Sequence, residues 1–197
     1  MHKNLLSIGF SHFILMIFPI VMTPIFLSTL GEYQYGFYSL LVTTSGLLFM
    51  VSTFGLGFTA RRELPSSNTI FKDAQLFYPQ FYSHVLITSC LAAVAFLLIQ
   101  GYFKHQYNAN WSILTPIILS YLISYSVYSQ FNLLFKYKRR IGLLNGLILF
   151  QVSINALLLF LSYGYYGALT VPIIFLCHLT GLLLACFVFF IPATNLV

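Results

Sequence analysis

The sequence predicts an all-α, polytopic membrane protein: about six transmembrane helices packed as one bundle, with both termini in the cytoplasm. Three observations predict it. Charge is almost absent, since 6% of the 197 residues are Asp, Glu, Lys or Arg, 59% are hydrophobic and mean hydropathy is +0.90. The apolar residues run continuously, in about six stretches of the roughly 20 residues that a helix needs to cross a hydrocarbon core about 30 Å thick. The few cations fall between those stretches, on alternate connections.

The spans are expected at about 5–30, 37–60, 76–101, 111–135, 141–163 and 168–191. They read as helices because barrel strands alternate lipid-facing and lumen-facing residues, which these runs do not. A helix also satisfies every backbone polar group within one segment. The first stretch follows Lys3 and could pass for a secretory signal. It is longer than an ordinary signal core and no small-residue cleavage site follows, so it is expected to be retained. Pro19 and Pro24 lie inside it, and each removes a backbone donor, which predicts a kink or break. Tight connections are expected near residues 31–36 and 164–167, where glycines cluster. Lys3, the Arg61, Arg62 and Lys72 connection, and the Lys136, Lys138, Arg139 and Arg140 connection alternate with ones that hold only Lys104. The bias of cations toward the cytoplasm then places both termini inside and the two glycine turns outside.

The net charge of +6 needs no nucleic acid to explain it. Cations at helix ends hold loops on the anionic inner leaflet, so membrane lipids are the expected partner and nucleic acid is not. The sequence contains no zinc, phosphate-loop or dinucleotide motif, and no soluble domain to carry one, so neither a metal nor a cofactor is expected. Cys90, Cys177 and Cys186 sit inside apolar stretches and read as small core hydrophobes. No catalytic residues are assigned and the chain is not expected to be an enzyme.

Polar groups at membrane depth are costly and so are the functional candidates. His12, His84 and His178 lie in the first, third and sixth spans. Each could carry a coupling proton, although a neutral histidine bonded to a neighbouring helix is the commoner case. In the fourth span Tyr121, Tyr125, Tyr128 and Asn132 share one helical face, with Ser120 and Ser124 nearby. The fifth adds Gln151 and Asn155, four apart. Tyrosines and amides combine flat apolar area with hydrogen bonding, which suits a sugar or a head group; the same faces could serve interhelical packing. Asn110-Trp111-Ser112 fits the glycosylation pattern, but Trp111 reads better as an interfacial anchor.

Two stretches carry a family resemblance. One is Pro24-Ile25-Phe26-Leu27-Ser28-Thr29-Leu30-Gly31-Glu32-Tyr33-Gln34-Tyr35-Gly36; the other is Phe54-Gly55-Leu56-Gly57 followed by Arg62-Glu63. Together with Gly164-Tyr165-Tyr166-Gly167-Ala168 they resemble the N-terminal half of the polysaccharide (O-antigen type) flippases, of the multidrug/oligosaccharidyl-lipid/polysaccharide exporter superfamily. Ser28 and Thr53 depart from that pattern, where members often carry a base and an acid. The resemblance implies a multi-pass protein of the bacterial cytoplasmic (inner) membrane. It implies movement of a polyprenyl-pyrophosphate-linked oligosaccharide from the cytoplasmic to the outer leaflet, in polysaccharide or O-antigen biosynthesis. Arg61 and Arg62 would attract the pyrophosphate at the cytoplasmic mouth, with Glu63 orienting Arg62, or would simply anchor the topology. Tyr121, Tyr125, Gln151 and Asn155 would contact sugar. The family builds its path between two six-helix lobes, so this chain is expected to be a fragment or N-terminal lobe, completed by a C-terminal lobe or a homodimer partner. Three other readings stay open: an ion-driven small-molecule exporter of the same superfamily, an integral-membrane polysaccharide polymerase, and a non-catalytic membrane scaffold.

Overall fold

A computed structural model of the chain describes residues 2–52, 70–107, 109–137 and 140–194. Five helices form among those residues: α1 (His2–Ser52), α2 (Ile70–Gln106), α3 (Trp111–Tyr137), α4 (Ile141–Tyr166) and α5 (Val171–Thr194). Each contains a segment long and apolar enough to cross a membrane. The bounds differ from the expected ones chiefly in that helices run on past the apolar stretches. α2 starts six residues before position 76 and ends five beyond 101, because polar residues at a helix end keep their backbone bonds outside the hydrocarbon. The end of the second expected span, residues 53–60, lies outside the described residues.

The first two expected spans are joined in α1, and the connection is one residue rather than six. A straight helix of its 51 residues would run about 76 Å, far more than a bilayer core. Gly31 interrupts it with φ 74° and ψ 164°. That combination is open essentially to glycine alone, because any Cβ would collide with the backbone. The chain reverses there. Phe26 and Tyr38, 12 residues apart, meet edge to face with centroids at 5.3 Å, where a straight helix would hold them about 18 Å apart. Thr23 Oγ1 and Tyr35 Oη likewise come within 3.4 Å across the turn. Of the kink or break expected at Pro19 and Pro24, there is no break: the backbone keeps helical dihedrals through both and leaves them at Gly31. Local side chains help, since the Thr23 hydroxyl donates to the Pro19 carbonyl oxygen at 2.7 Å and the Thr29 hydroxyl to that of Ile25 at 2.8 Å.

The two arms of α1 pack on different neighbours. Met22 and Phe26 on the first arm join Leu159 of α4 and Ile174 and Cys177 of α5. Phe37 and Leu41 on the second arm join Ala92 and Phe96 of α2, Trp111 and Ile118 of α3 and Phe175 of α5. A third cluster holds Phe135 of α3, Leu147 of α4 and Leu182 and Ala185 of α5. α5 enters all three and is the centre of the bundle. α4 ends at Gly167, whose left-handed φ of 67° lets its N–H donate to the Tyr163 carbonyl oxygen at 2.8 Å.

Two side chains sit on the opposite side from expectation. Cys90 is exposed on α2 and is no core residue, whereas Cys177 is buried. Trp111 is 9% exposed, packed between Phe37 and Phe103 with its indole N–H donating to the Tyr107 carbonyl oxygen at 3.3 Å. It is a wedge under the α2–α3 connection. The exposed aromatics at that end are Tyr33, Tyr102, Tyr163, Tyr165 and Tyr166, all on residues next to the three connections. Their amphipathic rings suit the headgroup level of a bilayer.

Candidate functional site

The described candidates among the polar side chains within the spans fall in three places; elsewhere the Gln100 amide donates to the Thr115 hydroxyl, joining α2 to α3. On α3 the expected stripe is a ladder of rings: Tyr121 stacks on Tyr125 at 5.9 Å, and Tyr125 on Tyr128 at 6.1 Å. The ladder faces inward, as the i, i+4, i+7 spacing requires. Tyr121 meets Phe175 of α5, and Tyr125 meets Phe49 of the second arm of α1 edge to face at 4.6 Å. Ser124 is buried beside it, while Ser120 lies on the exposed face. At its far end the buried Asn132 Oδ1 has no hydrogen-bond partner among the described residues.

The second place is around His178. Tyr38 Oη and His178 Nε2 are 3.2 Å apart, which joins the second arm of α1 to α5. The imidazole accepts from the phenol or donates to it according to its tautomer. Tyr38 also meets the rings of Phe26, Tyr35 and Phe175. Tyr38 does not stand out in the sequence, because an aromatic two residues after Gly36 reads as the start of a span. Its signal is the histidine, since a buried imidazole needs a partner. Tyr38→Phe is expected to lower thermal stability in detergent by about 0.6 kcal/mol, the usual size of an interhelical hydrogen bond in a membrane protein. The same change in a His178→Phe background should cost nothing, and an equal cost there would show the two groups to be uncoupled.

The third place is the α4–α5 contact. Asn155 is 4% exposed, and its Oδ1 has no hydrogen-bond partner among the described residues. It fills the space a Cβ would need at Gly181 of α5, with its Cγ 2.8 Å from that position. Gln151, one turn earlier on α4, is half-buried. The sequence-predicted sugar contacts thus fall on two interfaces, Tyr121 and Tyr125 against α1 and α5, and Asn155 against α5. Arg61, Arg62 and Glu63 lie outside the described residues. His12 and His84 lie on the α1 and α2 backbones, with side chains outside the described set. The described charged residues Glu32, Lys104 and Arg140 are exposed near helix ends or turns.

A pocket of about 480 Å³ opens where the three connections meet. Its walls come from the α1 turn (Thr29, Gln34, Phe37), the start of α3 (Asn110, Leu114) and residues 168–172 leading into α5. The turn is tied to the α2–α3 connection by the Tyr33 hydroxyl, which donates to the Gln106 carbonyl oxygen at 3.2 Å, and by the stacked rings of Phe37 and Tyr107 at 4.5 Å. Asn110 starts α3, its carbonyl oxygen accepting from the N–H groups of Ile113 and Leu114. Its side-chain Oδ1 accepts from the Ser112 hydroxyl at 2.6 Å. The sequence shows the three connections but not their convergence, which depends on how the hairpin folds.

A family model described as polysaccharide biosynthesis protein matches residues 1–195, almost the whole chain. No curated protein and no solved structure matches it.

Proposed function

This chain belongs to the polysaccharide biosynthesis protein family, the flippase family its sequence resembles, and from that premise we propose that it moves a polyprenyl-pyrophosphate-linked oligosaccharide from the cytoplasmic to the outer leaflet. The match over residues 1–195 carries this reading. The family is one of transporters, which accords with a chain that is not an enzyme.

The helices support a six-crossing topology in this proposal. Reversal at Gly31 lets the two arms of α1 cross separately, and with α2 to α5 that makes six. The convergence of the α1 turn and the α2–α3 and α4–α5 connections supports placing all three on one side. Positive-inside bias makes that side outward and leaves both termini in the cytoplasm. One bundle cannot alternate its access alone, so transport needs a second bundle facing this one, on a longer polypeptide or a second copy.

In this reading Arg62, helped by Arg61, draws the pyrophosphate to the cytoplasmic mouth. The Tyr121–Tyr125 ladder, Gln151 and Asn155 meet the glycan, and His178 is the histidine whose partner, Tyr38, is defined. The test is flux of a lipid-linked oligosaccharide in proteoliposomes. Arg62→Ala should lower it about tenfold with normal membrane insertion, the worth of about one hydrogen bond to a charged group. Parental flux in that variant would end the role of Arg62.

A further inference from the structure

We infer that the pocket between the three connections is a binding site for one neutral, hydroxyl-rich sugar unit. Its lining explains the choice of ligand. Among the described residues none of the lining side chains is charged. Thr29, Gln34, Asn110 and Thr170 supply neutral donors and acceptors, and Phe37 and Leu114 supply an apolar wall. The lining offers no cationic side chain to pair with an anion such as phosphate. A hydrocarbon chain would lie against the exposed Gln34 amide and Thr170 hydroxyl and satisfy neither. A sugar ring has an apolar face and a rim of hydroxyls, which matches both halves of the lining.

The position fits as well. The pocket lies at the end of the bundle that carries exposed Tyr33, Tyr102, Tyr163, Tyr165 and Tyr166, side chains that suit headgroup depth better than hydrocarbon. Its volume of about 480 Å³ is in the range of sites for small ligands. It is also held open. Phe37 is wedged between Tyr107 and Trp111, and Tyr33 is bonded to Gln106, so the wall from α1 is fixed to the wall from α3 before any ligand arrives. The site is separate from the Tyr121–Tyr125 ladder. It rests on the glycan reading above for its purpose: on the outward side it would receive a sugar of the glycan as that glycan leaves.

The chain carries a reporter, because its single tryptophan, Trp111, packs edge to face on Phe37 at 5.6 Å, and Phe37 lines the pocket. The full chain, purified in a detergent without a sugar head group, is titrated with glucose, N-acetylglucosamine and maltose, and separately with inorganic phosphate and with cyclohexanol. Trp111 fluorescence should change saturably with at least one neutral sugar. The double variant Gln34→Leu/Thr170→Val, which alters two exposed side chains, should keep the parental melting temperature and bind that sugar about tenfold more weakly. No saturable response to any of the sugars, an equal response to phosphate or cyclohexanol, or unchanged sugar affinity in the double variant would each overturn the site. The readout involves no transport. Sugar binding by the chain, with no movement of lipid-linked glycan once the chain is joined by its second bundle, would overturn the transport reading and leave the pocket standing. A chain that moves glycan without a sugar response would do the reverse.

Discussion

Gly31→Ala should destabilise the protein by about 1–3 kcal/mol, the cost of forcing a residue with a Cβ into a backbone region that only glycine occupies freely. The effect is one of backbone alone, since nothing lies within 4 Å of where that Cβ would stand. Gly31→Val should cost at least as much, because branching at Cβ narrows the backbone further. Gly36→Ala provides the contrast. That residue is helical and also faces open space, so alanine there should be neutral or stabilising by up to about 1 kcal/mol. Thermal unfolding of the purified variants in detergent measures both. Equal effects at the two positions would mean that the turn at Gly31 relaxes into another conformation at no cost. The consequence reaches beyond stability, because the contacts of Phe26 with Tyr38 and of Thr23 with Tyr35 exist only if the chain reverses at residue 31.

The number and order of the apolar helices are legible in the sequence because a bilayer sets their length. Which face of each helix points inward is not. In water an apolar side chain signals the core, but in lipid the outside is as apolar as the inside. Leu98 is 77% exposed and Phe187 79%, while Phe96 and Phe175 are buried, and composition alone does not separate the pairs. Cys90 was open to the same error. Polar residues are the exception, since lipid repels them, and so the inward face of Tyr121, Tyr125 and Tyr128 is predictable from spacing alone.

The candidate sites divide along the same line. His178 is visible in the sequence as a polar group at depth, whereas its partner Tyr38 lies 140 positions away and is visible only once α1 folds back. The pocket is still less legible. Thr29, Gln34, Asn110 and Thr170 are ordinary turn and helix-end residues, each with a local reason to be where it is. What makes them a set is the convergence of three connections, which takes both the reversal at Gly31 and the packing of α2 to α5.

Gly181→Ala is expected to have the second large effect, and its cause is different in kind. The backbone at Gly181 is an ordinary helix, so alanine would be favoured there if space allowed. Space is what is missing: the Asn155 amide occupies the Cβ position, and Asn155 is buried against α5 with little room to turn. Overpacking of this sort costs about 1–3 kcal/mol. Small residues at helix contacts in membranes let backbones approach, and here the closeness admits an amide from the neighbouring helix. Asn155→Ala removes the obstruction. Its own cost should be small, since the Oδ1 it deletes has no hydrogen-bond partner among the described residues. The double variant should then recover most of the stability lost in Gly181→Ala, a coupling of about 1–3 kcal/mol in a double-mutant cycle read by thermal unfolding. If the two losses simply add, Asn155 swings aside freely and Gly181 is not what sets the α4–α5 approach. If they cancel, the pair fixes how closely those helices pack, and Asn155 acts first as a packing residue. Loss of flux in Asn155→Ala at full stability would then be the result that restores it as a contact for glycan.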